Sequence, residues 1–143
     1  MWQAAEGIID HVEIPVSQFE RARTFYREAL RPLGLEEIIV VEAATGDACR
    51  AGFGKDGYPG LWLIGPRETG ASVHLALRAS SRESVDAFHA HALRSGGRDN
   101  GEPGIRTRYH DNYYAAYVLD PDGNNIEAVC QEPLAASRAT PLT

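Results

Sequence analysis

Hydrophobic and polar positions follow two different periods along this chain, first that of a strand and then that of a helix. In the segment "HVEIPV" (residues 11–16), apolar residues occupy alternate positions, so they share one face of a β-strand, whereas His11 and Glu13 share the other. From Phe19 to Leu33 the apolar residues recur at helical spacing, and Gly34 follows them. The pattern predicts a half-buried strand followed by an amphipathic helix.

The same pattern returns 63 residues later. Residues 7–34 overlie residues 70–97, with nine identical positions among 28, and His11 is matched by His74. In the second strand, "VHLALR", the alternation again places the histidine on the face opposite the apolar residues. A repeat of this length indicates two copies of one supersecondary unit.

Each predicted helix begins at a Ser-x-x-Glu sequence, formed by Ser17 with Glu20 and by Ser80 with Glu83. In a capping box the serine hydroxyl accepts a hydrogen bond from a free backbone N–H of the first helical turn. We therefore expect Ser17 and Ser80 to cap the two helices.

Three shorter extended runs, separated by turn residues, follow each helix. Their predicted bounds are roughly Glu36 to Ala44, Arg50 to Phe53 and Leu61 to Ile64, then Arg98 to Asn100, Tyr113 to Leu119 and Asn125 to Gln131. The unit is therefore βαβββ, and it occurs twice in a single α+β domain, with modules at about residues 8–65 and 71–131. Residues 132–143 are small and polar and are expected to form a flexible tail.

Composition narrows the classes of partner and location. With 14 Lys+Arg against 20 Asp+Glu the net charge is −6, which argues against nucleic acid. Because no stretch is apolar enough to span a membrane and the N-terminus lacks a signal-peptide pattern, a cytoplasmic protein without a membrane contact is expected. Cys49 and Cys130 are too few for a disulfide framework and are expected to be reduced.

The segment "GFGKDG" (residues 52–57) fits the glycine spacing of a dinucleotide-binding loop, but its context differs. Such a loop leads into a helix, whereas Tyr58, Pro59 and a predicted strand follow here. A hairpin turn is the favoured interpretation.

A single acid in the last predicted strand raises a chemical question. In "NNIEAVC", Glu127 lies on the same side as the histidines if Ile126 packs into the core. A buried carboxylate is costly unless a positive charge meets it, and two neutral imidazoles do not provide one. A lone histidine on a strand is more often structural, but two repeat-equivalent histidines with Glu127 favour a divalent metal. Two histidines and a carboxylate suit Fe(II), and Mn(II), Zn(II) or Ni(II) are also compatible.

These features together resemble the vicinal oxygen chelate superfamily, which contains glyoxalase I, bleomycin-resistance proteins, fosfomycin-modifying thiol transferases, methylmalonyl-CoA epimerases and extradiol dioxygenases. The resemblance is carried by "DHVEIPV", "FYREAL", "VHLAL" and "YVLDPDGNNIEAV" and covers about residues 8–131. It implies paired βαβββ modules that form an open curved β-barrel with helices outside. It also implies His11, His74 and Glu127 as metal ligands, a small-molecule substrate and a homodimer, with modules paired either within one chain or across the dimer.

Glyoxalase-like members usually add a fourth protein ligand from the last strand of the first module. Aligning the Asp-Gly pairs of the two modules places Leu61 over Glu127, and no acid occurs from Leu61 to Ile64. The resemblance therefore disfavours glyoxalase I activity.

The stretch from His110 through Tyr117 to Glu127 resembles the extradiol dioxygenase signature, which implies His110 and Tyr117 as acid–base groups beside the metal. Glu13 is a further candidate base, because it shares a strand face with His11. Three aromatic residues are candidates for a substrate pocket or, equally, for core packing: Trp62, Tyr109 and Tyr113. A metal-dependent enzyme is thus favoured, dioxygenase-like or lyase- or transferase-like. The alternative is a binding protein of the bleomycin-resistance type, which sequesters a small molecule without catalysis.

Overall fold

The computed structural model describes residues 7–43 and 48–134. Within these ranges the chain forms two helices, eight strands and one 3₁₀ turn at Arg31–Leu33. In chain order the helices and strands are β1 Val12–Pro15, α1 Phe19–Leu30, β2 Glu36–Val41, β3 Cys49–Lys55, β4 Tyr58–Gly65, β5 His74–Arg78, α2 Arg82–Arg94, β6 Arg98–Ile105, β7 Tyr114–Leu119 and β8 Asn125–Cys130. The predicted order βαβββ, repeated once, is confirmed. Most of the predicted tail lies outside the described residues.

The strands form two mixed four-stranded sheets, ordered β1-β4-β3-β2 and β5-β8-β7-β6. In each sheet the first strand pairs parallel to the last strand of its own module, and the remaining pairs are antiparallel. The α+β fold class is confirmed, although the two sheets are not closed into a barrel. Consequently β1 and β5, the strands that follow or contain the two histidines, both lie at sheet edges.

One hydrophobic core joins the two modules. Residues from both helices and from both sheets belong to the same buried cluster, with Phe25 and Phe88 fully buried between them. Helices α1 and α2 also contact each other. Burying a side chain of this size contributes roughly 1.5–3 kcal/mol. The polar face of each sheet, opposite the helices, is therefore the face left available for a site.

The segment "GFGKDG" forms the hairpin between β3 and β4, as predicted. Asp56 (φ 54°) and Gly57 (φ 78°) both have left-handed backbone conformations. Two consecutive left-handed residues, often Asp-Gly, form the tight turn that matches the twist of a two-stranded hairpin.

The predicted capping boxes are wrong in both helices. Gln18 occupies the N-cap position of α1, and Ser17 instead hydrogen-bonds through its backbone N–H and its hydroxyl to the Asp122 carboxylate of the other module. In α2 the cap is Ser81, whose hydroxyl accepts from the Ser84 N–H at 3.1 Å. Ser17 therefore bonds to a residue distant in sequence instead of capping α1. Helix α2 begins one residue later than its pattern suggests.

Strand β6 extends five residues beyond its predicted end at Asn100. The sequence pattern did not predict this extension, because residues 101–104 contain two glycines and a proline, which are unfavourable within a strand. The structure accommodates them by two register shifts against β7, between Asp99 and Gly101 and between Gly101 and Gly104. Such bulges bend a strand without ending it.

The "DPDGN" turn before β8 is organised around Asp120, whose side chain is 2% exposed. Its carboxylate accepts hydrogen bonds from the backbone N–H groups of Asp122 and Asn124 and from the Asn124 amide, at 2.8–2.9 Å. It also accepts from the Tyr26 hydroxyl of α1 at 2.5 Å. These contacts satisfy a buried charge and attach the start of β8 to the first module.

Both cysteines are free thiols, with Cys130 buried and Cys49 half-buried, as expected. Neither helix in the described part of the chain has the length and apolar character needed to cross a membrane.

Candidate functional site

The structure brings His74 and Glu127 into direct contact. Strands β5 and β8 run parallel with Ala76 opposite Glu127, and Ile126 is fully buried in the core. Because neighbouring strand residues point to opposite faces, Glu127 lies on the polar face with His74, as expected. His74 Nε2 lies 2.8 Å from Glu127 Oε1.

Glu127 is a buried carboxylate with a partner on each oxygen. Its side chain is 2% exposed, whereas that of His74 is 54% exposed. The Tyr113 hydroxyl donates a hydrogen bond to the second oxygen, Oε2. Burial first, and this hydrogen bond second, hold the pKa of the Tyr113 phenol well above its ordinary value, so Tyr113 remains a donor at neutral pH. The pair therefore offers an exposed imidazole backed by a sheltered negative charge.

A pocket of about 430 Å³ opens beside this pair. Its wall includes His74, Asn100, Arg106, Arg108, Tyr109 and Tyr117. The rings of His74 and Tyr117 lie 6.3 Å apart. Burial, followed by the nearby Glu127 charge, raises the pKa of Tyr117, so its phenol is also protonated at neutral pH.

Two arginines of this pocket lie over the rings of its tyrosines. The Arg106 guanidinium carbon lies 5.4 Å from the centre of the Tyr117 ring, and that of Arg108 lies 4.9 Å from the centre of the Tyr109 ring. None of the described residues in the pocket lining is acidic. The pocket is therefore locally positive although the chain has a net charge of −6.

His110 lies next to the pair without contacting it. Its Nε2 is 2.6 Å from Gln131 Oε1, and its Nδ1 accepts from the Asn112 N–H at 2.9 Å. Its ring packs edge-on against Tyr113 at 6.0 Å. Its connection to Glu127 therefore runs through Tyr113.

His11 lies in a different pocket, of about 380 Å³, on the first sheet. Its Nδ1 is 2.6 Å from Asp10 Oδ1, and the Tyr58 hydroxyl donates to the other Asp10 oxygen at 2.6 Å. The Tyr58 hydrogen bond, followed by that to His11, lowers the pKa of Asp10. Glu13 accepts from Arg50 Nε at 3.3 Å in the same pocket, which Trp62 also lines.

The pockets of His11 and His74 share no lining residue. Within residues 7–43 and 48–134, no three His, Cys, Asp or Glu side chains are grouped for a metal ion. One chain thus brings together His74, Glu127 and Tyr113, with Tyr117 and Tyr109 nearby, and keeps His11, Glu13 and Trp62 together elsewhere.

Strand register corrects the alignment that placed Leu61 over Glu127. Glu13 lies opposite Trp62 between β1 and β4, and its repeat equivalent, Ala76, lies opposite Glu127 between β5 and β8. Trp62 therefore occupies the position equivalent to Glu127, while Leu61 is buried in the core. The alignment failed because Trp62 lies five positions after Gly57, whereas Glu127 lies four positions after Gly123. The first module still carries no acid at this point.

Sequence reasoning did not identify Arg106 and Arg108 as site residues. The available signal was the run "RTRY" (residues 106–109), in which two arginines alternate before Tyr109. Because the segment follows a strand whose glycines weaken its sequence pattern, its place in the same pocket as His74 could not be inferred from sequence.

Comparison with known proteins supports a family assignment. Residues 8–128 match the family model of the Glyoxalase/Bleomycin resistance protein/Dioxygenase superfamily. A glyoxalase/bleomycin resistance protein from Albidiferax ferrireducens T118 is 28% identical, with 85% of this chain and 97% of that chain covered and a TM-score of 0.64.

Two further structures share the fold at lower identity. A glyoxylase/bleomycin resistance protein/dioxygenase domain from Frankia sp. EAN1pec is 15% identical, covering 90% of this chain and 100% of that chain, with a TM-score of 0.66. Glyoxalase I from Zea mays is 20% identical with a TM-score of 0.64, and the match covers 85% of this chain but 45% of the maize chain. No curated protein matches the sequence significantly.

Proposed function

Because the chain belongs to the Glyoxalase/Bleomycin resistance protein/Dioxygenase superfamily, we propose that it is a metal-dependent enzyme acting on a small oxygen-rich substrate. We further propose that two copies form each site: His74 and Glu127 come from one copy, and His11 comes from the other. The observation that carries the proposal is the buried Glu127 carboxylate in direct contact with an exposed imidazole.

The donor set fits a divalent cation. A carboxylate that is 2% exposed and an imidazole nitrogen 2.8 Å away can both turn toward one ion, and the Tyr113 hydrogen bond restrains the carboxylate. Outer partners of this kind orient ligands and tune metal affinity. A third ligand from His11 would give the two-histidine, one-carboxylate set that suits Fe(II), with Mn(II), Zn(II) and Ni(II) also compatible.

The fold supports contribution of His11 by a second copy. His74 begins edge strand β5, and His11 directly precedes edge strand β1. An unpaired sheet edge can pair with another chain. The pocket walls also differ in charge, because Asp10 and Glu13 outnumber Arg50 beside His11 while Arg106 and Arg108 lie beside His74. Opposite charges favour apposition of the two pockets in a homodimer.

A divalent cation in this position supplies Lewis acidity, which stabilises negative charge developing on a chelated substrate oxygen. Around it, Tyr117 is a protonated phenol 6.3 Å from the His74 ring and can donate a hydrogen bond or a proton to substrate. Glu13, brought in with His11, is the candidate base. His110 acts through Tyr113, and Trp62, Tyr109 and Tyr113 provide aromatic surface for a planar substrate.

Metal titration of protein purified without a histidine tag tests the proposal. We expect about one equivalent of Fe(II), Mn(II), Zn(II) or Ni(II) per chain, and loss of that binding in Glu127→Gln, which keeps the side-chain size. Less than about a tenth of an equivalent would favour a binding protein that sequesters a small molecule without catalysis.

The reaction class is tested separately, on protein loaded with the metal that it binds. Oxygen uptake with catechols and Fe(II) would support dioxygenase-like chemistry. Its absence, together with turnover of fosfomycin or of a 2-oxo-aldehyde thiol adduct, would support the transferase or lyase alternative.

A further inference from the structure

We infer that the pocket beside His74 binds a planar organic acid, whose carboxylate group is held by Arg106 and Arg108. The inference names the substrate class of the site proposed above and rests on that proposal for the metal beside the acid. Three observations support it: the geometry of the guanidinium groups, the charge of the wall and the arrangement of the aromatic rings.

Arginine geometry is the first observation. Arg106 and Arg108 place their guanidinium groups against the rings of Tyr117 and Tyr109, at 5.4 and 4.9 Å from the ring centres. A guanidinium carries five N–H donors and a contact with a ring face uses none of them as a hydrogen bond, so donors remain available to a carboxylate, which an arginine can bind with two parallel hydrogen bonds. A lysine in either place would lack this fork.

The loop that carries the arginines is ordered by its own backbone. The Arg106 N–H donates to the Tyr113 carbonyl at 2.8 Å, and the Tyr109 N–H donates to the Arg106 carbonyl at 3.0 Å. One Arg106 side-chain N–H donates to the Glu102 carbonyl at 2.6 Å, which fixes the direction of the guanidinium. Arg108 has no hydrogen bond or ion pair to any described residue, so its donors are available to a ligand. A pre-ordered cation loses less entropy on binding.

The charge of the pocket wall favours an anion. Within the described part of one chain the lining contributes two guanidinium groups and no acid, and the Glu127 carboxylate that contacts His74 is bonded to both His74 and Tyr113. Asn100 and Asn125, which also line the pocket, are neutral and bond to each other at 3.2 Å. A negatively charged ligand is therefore attracted, and a neutral or cationic ligand of equal size is not.

Aromatic rings form part of the pocket wall. Tyr109 and Tyr117 line the pocket, Tyr113 packs against Tyr109 at 4.9 Å between ring centres with a tilt of 54°, and Tyr117 lies beside His74. Flat aromatic surfaces favour stacking of a planar ligand body. An aromatic or other conjugated carboxylic acid fits this combination, with its acid group at the arginines and its oxygens toward His74.

Metal-free protein titrated with benzoate and with benzamide, followed by NMR, tests the charge requirement without any metal. The two probes share size and shape, and only benzoate is charged. We expect benzoate to bind about tenfold or more tightly than benzamide, and this preference to weaken as salt is raised. Equal binding of the two probes, or competition by inorganic phosphate as effective as that by benzoate, would overturn the inference.

Variants assign the effect to the two arginines. Arg106→Gln and Arg108→Gln should each reduce benzoate affinity about tenfold and leave benzamide binding unchanged. Arg21→Gln, which removes an exposed arginine from α1, is the matched control and should bind both probes like wild type. Because Arg108 is exposed, Arg108→Gln should leave thermal unfolding nearly unchanged. Arg106 is half-buried and bonds to the Glu102 carbonyl, so if Arg106→Gln unfolds then Arg108→Gln alone decides the question. Retention of the benzoate preference in a folded Arg108→Gln protein would overturn the inference.

The metal-loaded protein separates the two proposals. With redox-inactive Zn(II), 3,4-dihydroxybenzoate should bind more tightly than catechol, and the Arg108→Gln variant should abolish that difference. If no metal binds but benzoate is still preferred over benzamide, the proposed metal-dependent function fails and the acid pocket stands. If metal binds but the two catechols bind equally, the acid pocket fails and the proposed function stands.

Discussion

Tyr26 of α1 donates a hydrogen bond to the buried carboxylate of Asp120, which lies 94 residues further along the chain. Asp120 also accepts from Asp122 and Asn124 in the turn that leads into β8. The first module therefore helps to position the strand that carries Glu127.

Removing this hydroxyl should destabilise the whole fold. In Tyr26→Phe the ring remains and one buried carboxylate oxygen loses a donor, so we expect the free energy of unfolding to fall by about 1–3 kcal/mol. Urea denaturation measures the change. Tyr109→Phe is the control, because Tyr109 is exposed and should behave like wild type. Equal stability of all three proteins would contradict the role assigned to the Tyr26–Asp120 contact.

Alkaline pH should weaken the fold through the same residue. Burial, and then the Asp120 charge, raise the pKa of Tyr26 well above its ordinary value of 10. Above pH 10 the unfolded phenol loses its proton while the folded one keeps it, so the unfolded state binds fewer protons and stability falls as pH rises. The contribution of this residue is about 1.4 kcal/mol per pH unit. The pH dependence above 10 should therefore be shallower in Tyr26→Phe than in wild type, and identical slopes would count against it.

The Tyr113 hydroxyl should tune metal affinity through Glu127. In Tyr113→Phe the carboxylate loses the donor on Oε2, so we expect Zn(II) affinity to fall roughly 10–100-fold, as is common for partners behind a metal ligand. Competition with a chelator of known affinity provides the measurement, with Tyr109→Phe as the control for loss of a neighbouring phenol. An unchanged affinity would mean that Tyr113 does not orient Glu127 toward a metal.

If the metal site is shared between copies, two variants that each lack one ligand should restore metal binding when they form a mixed dimer. His11→Ala and Glu127→Gln should each bind little metal alone. A mixed dimer pairs the intact His74–Glu127 of the first variant with the intact His11 of the second, which restores one site per mixed dimer. Metal content after co-expression measures this. The absence of any gain on mixing, with dimers present, would place the site within one chain.

Close packing at Gly97 joins the modules and should not tolerate a methyl group. A Cβ at this position would lie 2.6 Å from a Val118 methyl, 2.7 Å from the Phe25 ring and 2.8 Å from the Ala92 carbonyl oxygen. We expect Gly97→Ala to lower the free energy of unfolding by about 1–3 kcal/mol. Gly70→Ala is the matched control, because its Cβ would meet no atom within 4 Å. Equal melting temperatures of the two variants would refute the packing argument.

The repeat and the two periodicities were sufficient to predict the element order and the faces of β1, β5 and β8. Glu127 was placed correctly on the histidine face, because Ile126 is buried and strand residues alternate. Local rules failed where a distant residue competed: Ser17 was expected to cap α1, but Asp122 binds it instead. No local pattern contains that partner.

The arrangement of the two sheets could not be derived from the sequence. Alternation assigns His11 and His74 to polar faces, but it does not say whether the two faces meet within one chain. The register of the two parallel strand pairs could not be derived either. It identifies Trp62 rather than Leu61 as the equivalent of Glu127, because the connections before β4 and β8 differ in length by one residue.

The contacts of the turn before β8 also bear on how separable the two repeats are. Asp120 is bonded to Tyr26 and Asp122 to Ser17, so each acid has its partner in the other half of the chain. A cut between β4 and β5 would separate Tyr26 from Asp120 and would divide the shared hydrophobic core. Each fragment would then expose to water one partner of a buried hydrogen bond and half of the core. We therefore expect neither half to fold when it is expressed without the other.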